Sequence, residues 1–415
     1  MNRVVAIIRV SAEACVRCKG RKNLCGLHTC PLVARFRSTL RAVTSIRPDL
    51  TVDGSTPPTV IVGERGYPRV PVLYGVPPGI TGFKAKEYDD PEQWWGRKKL
   101  DEILELRSYM VAGIMMTNVR DVHKLYELEI SLAGVSEKPV DSEMKLLKLP
   151  IPKLSFNPLH KPTPPKAPAN NIKVVSNPKV PRHIDKIIWD DVKAQQAMVE
   201  LYLKGVSIYN IQRALSLGLL GMKFSKRLVP LRWSITAVDT TISRYLLSRL
   251  RNADAVSETL LYSAEYLGNR FWILIEPGKH QIHWIEIWYP ATPYTSTAQH
   301  PVVVYNHEKV SGRPSFLDGG YEAAKLAVLE HLYRIKRQAR IMIIREITPR
   351  YYAAVGNWHI RETVRRALRT SPIKLRETRE AVEIIKRNSP VASETLEDYL
   401  RRERRVRRLD IYLRR

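Results

Sequence analysis

Hydrophobic and polar positions alternate along this 415-residue chain with two periods, and the changes of period mark its elements. Residues 31–43 repeat at helical spacing and predict a short basic helix. Residues 59–62 and 70–73 are apolar runs around Gly63-Glu-Arg-Gly66-Tyr-Pro68, which predicts two strands joined by a glycine-bracketed loop. A helix opens at Glu92 and reaches about Tyr109, and a second covers about 119–132. Between Pro139 and Pro181 prolines recur with lysines between them, so this stretch is expected to be extended or draped as a strap. Helical period returns at Ile184. Residues 201–215 have the apolar–Gly205–apolar spacing of a helix-turn-helix or of a packed helical hairpin, with Ser207 placed to cap the second helix. Three alternating runs, 259–265, 271–275 and 282–289, are separated by Gly268-Asn269 and Gly278-Lys279 and predict an antiparallel meander. A strongly amphipathic helix over 322–337, a strand over 339–347 and a helix from Asn357 follow.

The predicted fold class is α+β, with mixed helices around an antiparallel sheet. Its expected parts are a zinc-binding module (1–45), an N-terminal α/β part (46–138), a proline-rich linker or strap (139–183), a C-terminal α+β domain (184–395) and a basic tail (396–415).

Charge changes the picture more than composition does. A hydrophobic content of 44% is ordinary, but 68 Lys and Arg against 41 Asp and Glu leave a net charge of +27. Such a field suits a polyanion, and nucleic acid is the default one, whereas a merely ion-pair-rich protein would be balanced. No apolar stretch is long enough to span a membrane and the N-terminal apolar run is too short for a signal peptide. A cytoplasmic, nucleoid-associated monomer is expected.

All four cysteines fall in one stretch, Cys15-Val-Arg-Cys18 to Cys25-Gly-Leu-His28-Thr-Cys30. Two closely spaced pairs of soft ligands without an acid suit a closed tetrahedral Zn²⁺ site, with a disulfide, a redox pair or an iron–sulfur cluster as competitors. The expected ligands are Cys15, Cys18, Cys25 and Cys30, with His28 as a substitute for either of the last two. Lys19, Arg21 and Lys22 lie between them and favour thiolates.

Polar groups that could handle phosphate gather at turns and helix starts. Arg65, Gly66 and Tyr67 occupy the first loop. Arg232 precedes Ser234 and Thr236, either of which is read as a helix cap, and Asp239 follows in or beside the first turn. Asp318-Gly319-Gly320-Tyr321 opens the 322–337 helix, Glu346 ends the 339–347 strand, and Arg361 lies in the first turns of the next helix. If these converge, the arginines and glycines would hold phosphates while Asp239, Asp318 or Glu346 serves as a base. No carboxylate string of a two-metal nuclease is present.

The joined pattern resembles the archaeal Nre family of DNA repair proteins. The resemblance rests on Cys15-x-x-Cys18-Lys-Gly with Leu24-Cys-Gly-Leu-x-x-Cys30-Pro, on Gly63-x-x-Gly66-Tyr-Pro68 and on Arg232-Trp-Ser-Ile-Thr-Ala-Val-Asp239. Asp318-Gly-Gly-Tyr321 and Gly356-Asn-Trp-His-Ile-Arg-Glu362 complete it. It implies a role in DNA damage repair, an N-terminal zinc element and a C-terminal motif for the sliding clamp PCNA. Leu409, Asp410 and Tyr412 fit that motif, while Val406 stands where the family has Gln and Leu413 where it has a second aromatic. The resemblance assigns no catalytic residues. Three functions are therefore expected in order: a clamp-recruited DNA-binding repair factor, a hydrolase acting on a DNA end or nucleotide adduct (for example removing ADP-ribose from DNA ends), and a clamp-bound scaffold without chemistry.

Overall fold

The computed structural model describes residues 12–26, 30–152, 163–292, 294–295, 298–308 and 314–412, with the side chains of 402–412 outside the description. The chain divides into two units, Met1–Tyr245 with Tyr352–His359, and Leu246–Tyr351 with Ile360–Arg415.

In the first unit α1 (Ala12–Cys18) and α2 (Pro31–Thr44) precede a six-stranded sheet. Its strands are β1 (Thr51–Thr56), β2 (Val60–Val62), β3 (Arg69–Val76), β4 (Val111–Asn118), β5 (Val140–Leu146) and β6 (Lys166–Val174), in the order β1-β5-β6-β4-β3-β2. All neighbours are antiparallel except β4 and β6. Strict alternation builds the core: Val70, Val72, Tyr74 and Val76 of β3 are buried, as are Val140, Ser142, Met144 and Leu146 of β5. The segment read as a linker supplies β5 and β6. Its prolines lose only donors: the carbonyls of Pro165 and Pro168 accept from the amides of Ala112 and Leu147 at 2.9 Å each.

The helix expected from Glu92 is broken into α3 (Pro91–Trp94) and α4 (Leu100–Tyr109), with Gly96 left-handed between them at φ +73°. That expected over 119–132 is likewise two short helices, α5 (Val122–Glu127) and α6 (Ile130–Val135), with Glu129 at φ +56°. Helices α7 (Arg182–Trp189), α8 (Ala194–Leu203), α9 (Ile208–Ser216) and α10 (Leu231–Leu250) follow, and the division of units falls within α10. The α8–α9 pair is the packed hairpin. Ile208, Tyr209, Ile211, Gln212, Ala214, Leu215 and Ser216 of α9 are all buried, which leaves little of that helix to enter a DNA groove. Ser207 precedes α9 without capping it, since its hydroxyl donates to Glu92 at 3.1 Å.

The second unit is built on β7 (Thr259–Tyr266), β8 (Asn269–Glu276), β9 (Gln281–Trp288), β10 (Val302–Glu308), β11 (Arg340–Ile347) and β12 (Ile373–Leu375). The helices α11 (Gly319–Ile335), α12 (Trp358–Ala367), α13 (Thr378–Asn388) and α14 (Pro390–Tyr412) complete it. The order β10-β9-β11-β8-β7-β12 corrects the meander: β7 and β8 pair as a hairpin, but β11 lies between β8 and β9. It runs parallel to β9, which needs a crossover, and α11 provides one. Ile341 to Ile347 are buried without a break, as a central strand covered on both faces requires. Helix α11 is also less one-sided than its sequence suggested, being buried from Gly320 to Leu329, Glu322 and Lys325 included. Lys325 tolerates this because its ammonium binds Glu308, which also accepts from His280 at 2.9 Å and from the Tyr321 hydroxyl at 2.8 Å.

The result is an α+β protein with two mostly antiparallel sheets instead of one.

Candidate nucleic-acid interface

The loop between β2 and β3 is closed by its own backbone: the amides of Gly63 and Arg69 donate to the carbonyls of Pro71 and Gly66 at 2.8 and 2.9 Å. Gly66 sits at φ +88°, where a Cβ would stand 2.8 Å from the Arg69 carbonyl, so the turn requires glycine. Two further backbone bonds bring distant segments to the same place. The Val119 amide donates to Pro68 O at 2.9 Å, and the Leu228 amide donates to Val119 O at 2.7 Å. Arg120 and Arg227 are thereby held beside Arg69, which itself pairs in register with Asn118.

The start of α10 meets the loop through Glu64. Its carboxylate accepts from the Trp233 indole at 3.2 Å and lies 3.6 Å from Arg232. The rings of Tyr67 and Trp233 stand 5.6 Å apart at 39°, and each residue is about half exposed (49% and 48%). The Arg232 side chain is 79% exposed, so its ion pair with Glu64 holds little energy and leaves the guanidinium free to move to another anion. Five exposed arginines thus lie on segments joined by these bonds, and among the described residues Arg65, Arg69, Arg120 and Arg227 form no ion pair. Glu64 links the loop of Arg65, Gly66 and Tyr67 to Arg232, only part of the set whose convergence the sequence reading made a condition. Arg69, Arg120 and Arg227 were missed, because long-range backbone bonds join their segments, and Trp233 was read only as a neighbour of Arg232.

Ser234 and Asp239 stand apart from that surface, while Thr236 is half-buried one turn beyond Arg232 and Trp233 on α10. Helix α10 begins at Leu231, four residues earlier than a Ser234 cap requires, so neither Ser234 nor Thr236 caps it. Ser234 is buried with its hydroxyl on the Gln212 carbonyl, and Asp239 is buried and accepts from the Gln212 amide at 2.9 Å. Together they stitch α10 to α9.

The remaining predicted residues lie in the second unit. Asp318 caps α11, accepting from the amides of Gly320 at 2.9 Å and Tyr321 at 3.3 Å. Gly319 and Gly320 form the first turn, and a Cβ on Gly320 would stand 3.7 Å from Oε1 of Glu286. Tyr321 is buried against Glu308, and burial with that carboxylate drives its phenol far above its ordinary value. Arg361 is 1% exposed. Arg345 and Glu346 follow one another on β11 and face opposite ways. Arg345 binds Glu286 at 2.6 Å and Asn269 at 2.8 Å, whereas Glu346 accepts from Trp272 at 2.8 Å and Tyr289 at 2.9 Å. Glu346 therefore does not join Asp318, but Glu286, which the sequence reading did not single out, does. Burial raises the Glu286 carboxyl, Arg345 counteracts this, and the Asp318 charge adds to the rise.

The four cysteines line one cavity of about 20 Å³ together with Gly20, Asn23, Leu32 and Tyr352. Cys18 is lowered mainly by the backbone N–H of Leu24, against burial, with those of Lys22, Gly20 and Asn23 assisting. Cys15 is pushed up to about 11 by burial and then by the neighbouring thiols of Cys25, Cys30 and Cys18. Among the described residues no three His, Cys, Asp or Glu side chains are drawn close enough to grip an ion as they stand, so a zinc-binding module is not shown. His28 lies outside the described residues. At the C-terminus α14 carries Leu409 and Tyr412 on helical backbone, while Leu413 lies outside the described residues. Among the described residues no helix is long and apolar enough to cross a membrane.

The family model described as Archaeal Nre, N-terminal matches residues 24–295, and that described as Archaeal Nre, C-terminal matches residues 306–412. DNA repair protein NreA of Archaeoglobus fulgidus is 34% identical over 362 residues, covering 86% of this chain and 89% of that protein. DNA repair protein NreB of the same organism is 34% identical over 360 residues (85% and 87%). DNA repair protein NreA of Haloferax volcanii is 32% identical over 325 residues (76% and 77%). No solved structure matches the chain. With both family regions matched in order over most of its length, the chain belongs to the archaeal Nre family.

Proposed function

We propose that this is a DNA-binding protein of DNA damage repair, recruited to DNA by the sliding clamp PCNA and working in the cytoplasm at the nucleoid. The observation that carries the DNA-binding part is the set of exposed arginines, Arg65, Arg69, Arg120, Arg227 and Arg232, on segments joined at the loop with two half-exposed aromatic rings, on a chain of net charge +27. Exposed guanidinium groups suit phosphate oxygens, and a rigid glycine turn lets a phosphate approach the backbone. The relatives, each named a DNA repair protein, support the repair role. The test is fluorescence anisotropy of labelled duplex DNA at rising salt. Affinity should fall steeply with salt, and a protein with no salt-dependent affinity for any DNA form would end this reading.

Cys15, Cys18, Cys25 and Cys30 would hold one zinc ion, with His28 as a substitute for Cys25 or Cys30. The fit is supported by their shared cavity and by the backbone N–H groups converging on Cys18, a pattern that suits a thiolate ligand. A bound ion there would fold the segment and present Lys19, Arg21 and Lys22. The clamp would be engaged by the end of α14 through Leu409, Tyr412 and Leu413.

A second reading, hydrolysis at a DNA end or nucleotide adduct, is favoured by one observation: a raised carboxyl, Glu286, beside Arg345, Asp318 and the Gly319-Gly320 helix start. A buried carboxyl whose pKa is raised suits general-acid work. Turnover of an end-modified oligonucleotide, lost in Glu286→Gln and Asp318→Asn, would establish it. Unchanged turnover in Asp239, Asp318, Glu346 and Glu286 variants would remove it.

A further inference from the structure

We infer that Tyr67 and Trp233 form a stacking platform for an unpaired DNA base, so that this surface prefers single-stranded or unstacked DNA to intact duplex. The inference deepens the DNA-binding reading and rests on it. Soluble proteins tend to bury large aromatic rings, yet here two stand side by side, each about half exposed. They are not loosely placed. Glu64 receives the Trp233 indole N–H at 3.2 Å, and the loop bearing Tyr67 is pinned by the bonds of Gly63, Arg69 and Val119. A ring fixed by its edge keeps its face available, and it loses little entropy when a base lands on it.

The surroundings decide what that occupant is. Arg65 and Arg69 lie two residues on either side of Tyr67, Arg232 precedes Trp233, and Arg120 and Arg227 are exposed on the segments bonded to this loop, so on a chain of net charge +27 a polyanion is favoured over a protein partner. Aromatic faces interleaved with cations match a nucleic-acid strand, whose bases stack while its phosphates meet the guanidinium groups. In intact duplex the base faces are covered by their neighbours, so the rings would have nothing to stack on and only the arginines would act. The two rings are tilted by 39° instead of parallel, which suits a base lying over one ring with the other at its edge.

The test measures affinity of the full-length protein, by anisotropy at fixed salt, for a labelled oligo(dT), a mixed-sequence duplex of equal length and the same duplex with one unpaired base. Wild type should bind oligo(dT) and the bulged duplex more tightly than the plain duplex. Trp233→Ala should weaken binding to the first two by about tenfold while changing the plain duplex less than about twofold. Trp233→Phe, which keeps a stacking face, should retain most of the affinity, and Tyr67→Ala should behave like Trp233→Ala. Equal losses on all three DNAs, or no loss on any, would overturn the platform and leave DNA binding through the arginines intact. If wild type bound none of the three, the DNA-binding reading itself would fall. If Trp233→Phe lost as much as Trp233→Ala, the indole would be serving its bond to Glu64 and stacking would be excluded.

Discussion

Glu308 gathers three buried donors, His280, Tyr321 and Lys325, in the interior of the second unit. Burial alone would raise its carboxyl, but hydrogen bonds from His280, Lys325 and Tyr321, with the Lys325 charge, outweigh burial and hold it below its ordinary value. Removing it leaves the Lys325 ammonium buried without its partner. Glu308→Ala should therefore lower unfolding stability by about 3–5 kcal/mol in urea denaturation, while the paired replacement Glu308→Leu/Lys325→Met should recover most of the loss. His331 adds a pH dependence. Burial first, then Arg334, lowers its pKa from 6.5 to about 4, so the folded state holds it neutral where the unfolded chain takes a proton. Stability present above pH 6.5 should be lost as pH falls towards 4, by about 2 kcal/mol given the ring's partial exposure, and His331→Gln should remove that part of the slope. Single residues were partly legible from sequence. Asp318 was readable as a helix-start residue because its partners are two and three positions away. Asp239 was recognisable in its motif, yet its role rests on Gln212, twenty-seven positions earlier, which no local pattern announces.

At the scale of elements the same division holds. The β7–β8 hairpin was legible because its turn and alternation are local, whereas the insertion of β11 between β8 and β9 follows from a crossover and was not. Strand β6 was hidden by Pro165 and Pro168, which serve as acceptors, and β5 by the prolines of the surrounding segment. The cysteine knuckle is an element whose proposed ion can be counted: metal analysis of the purified protein should give one zinc per chain, and Cys18→Ser should lose it and make residues 12–44 protease-sensitive. Full retention of metal in Cys18→Ser would contradict the ligand set. The end of α14 makes a separate prediction. Deleting residues 406–415 should abolish co-elution with the clamp and leave DNA affinity within about twofold apart from the lost basic charge, because the arginine cluster lies in the first unit. Unchanged co-elution would place clamp contact elsewhere.

Over the whole molecule, the excess of Lys and Arg suits a polyanion partner, but composition does not say which surface would meet it. That surface became visible only when backbone bonds joined three segments, around Pro68, Val119 and Leu228. The central claim is that these arginines contact DNA phosphates. The measurement closest to it is the slope of log affinity against log salt for duplex DNA, compared between wild type and the triple variant Arg65→Ala/Arg69→Ala/Arg232→Ala. Each lost phosphate contact should flatten the slope by about 0.9, so the triple variant should be shallower by about 2 to 3 and weaker at low salt. A triple variant with the wild-type slope and affinity would contradict the account.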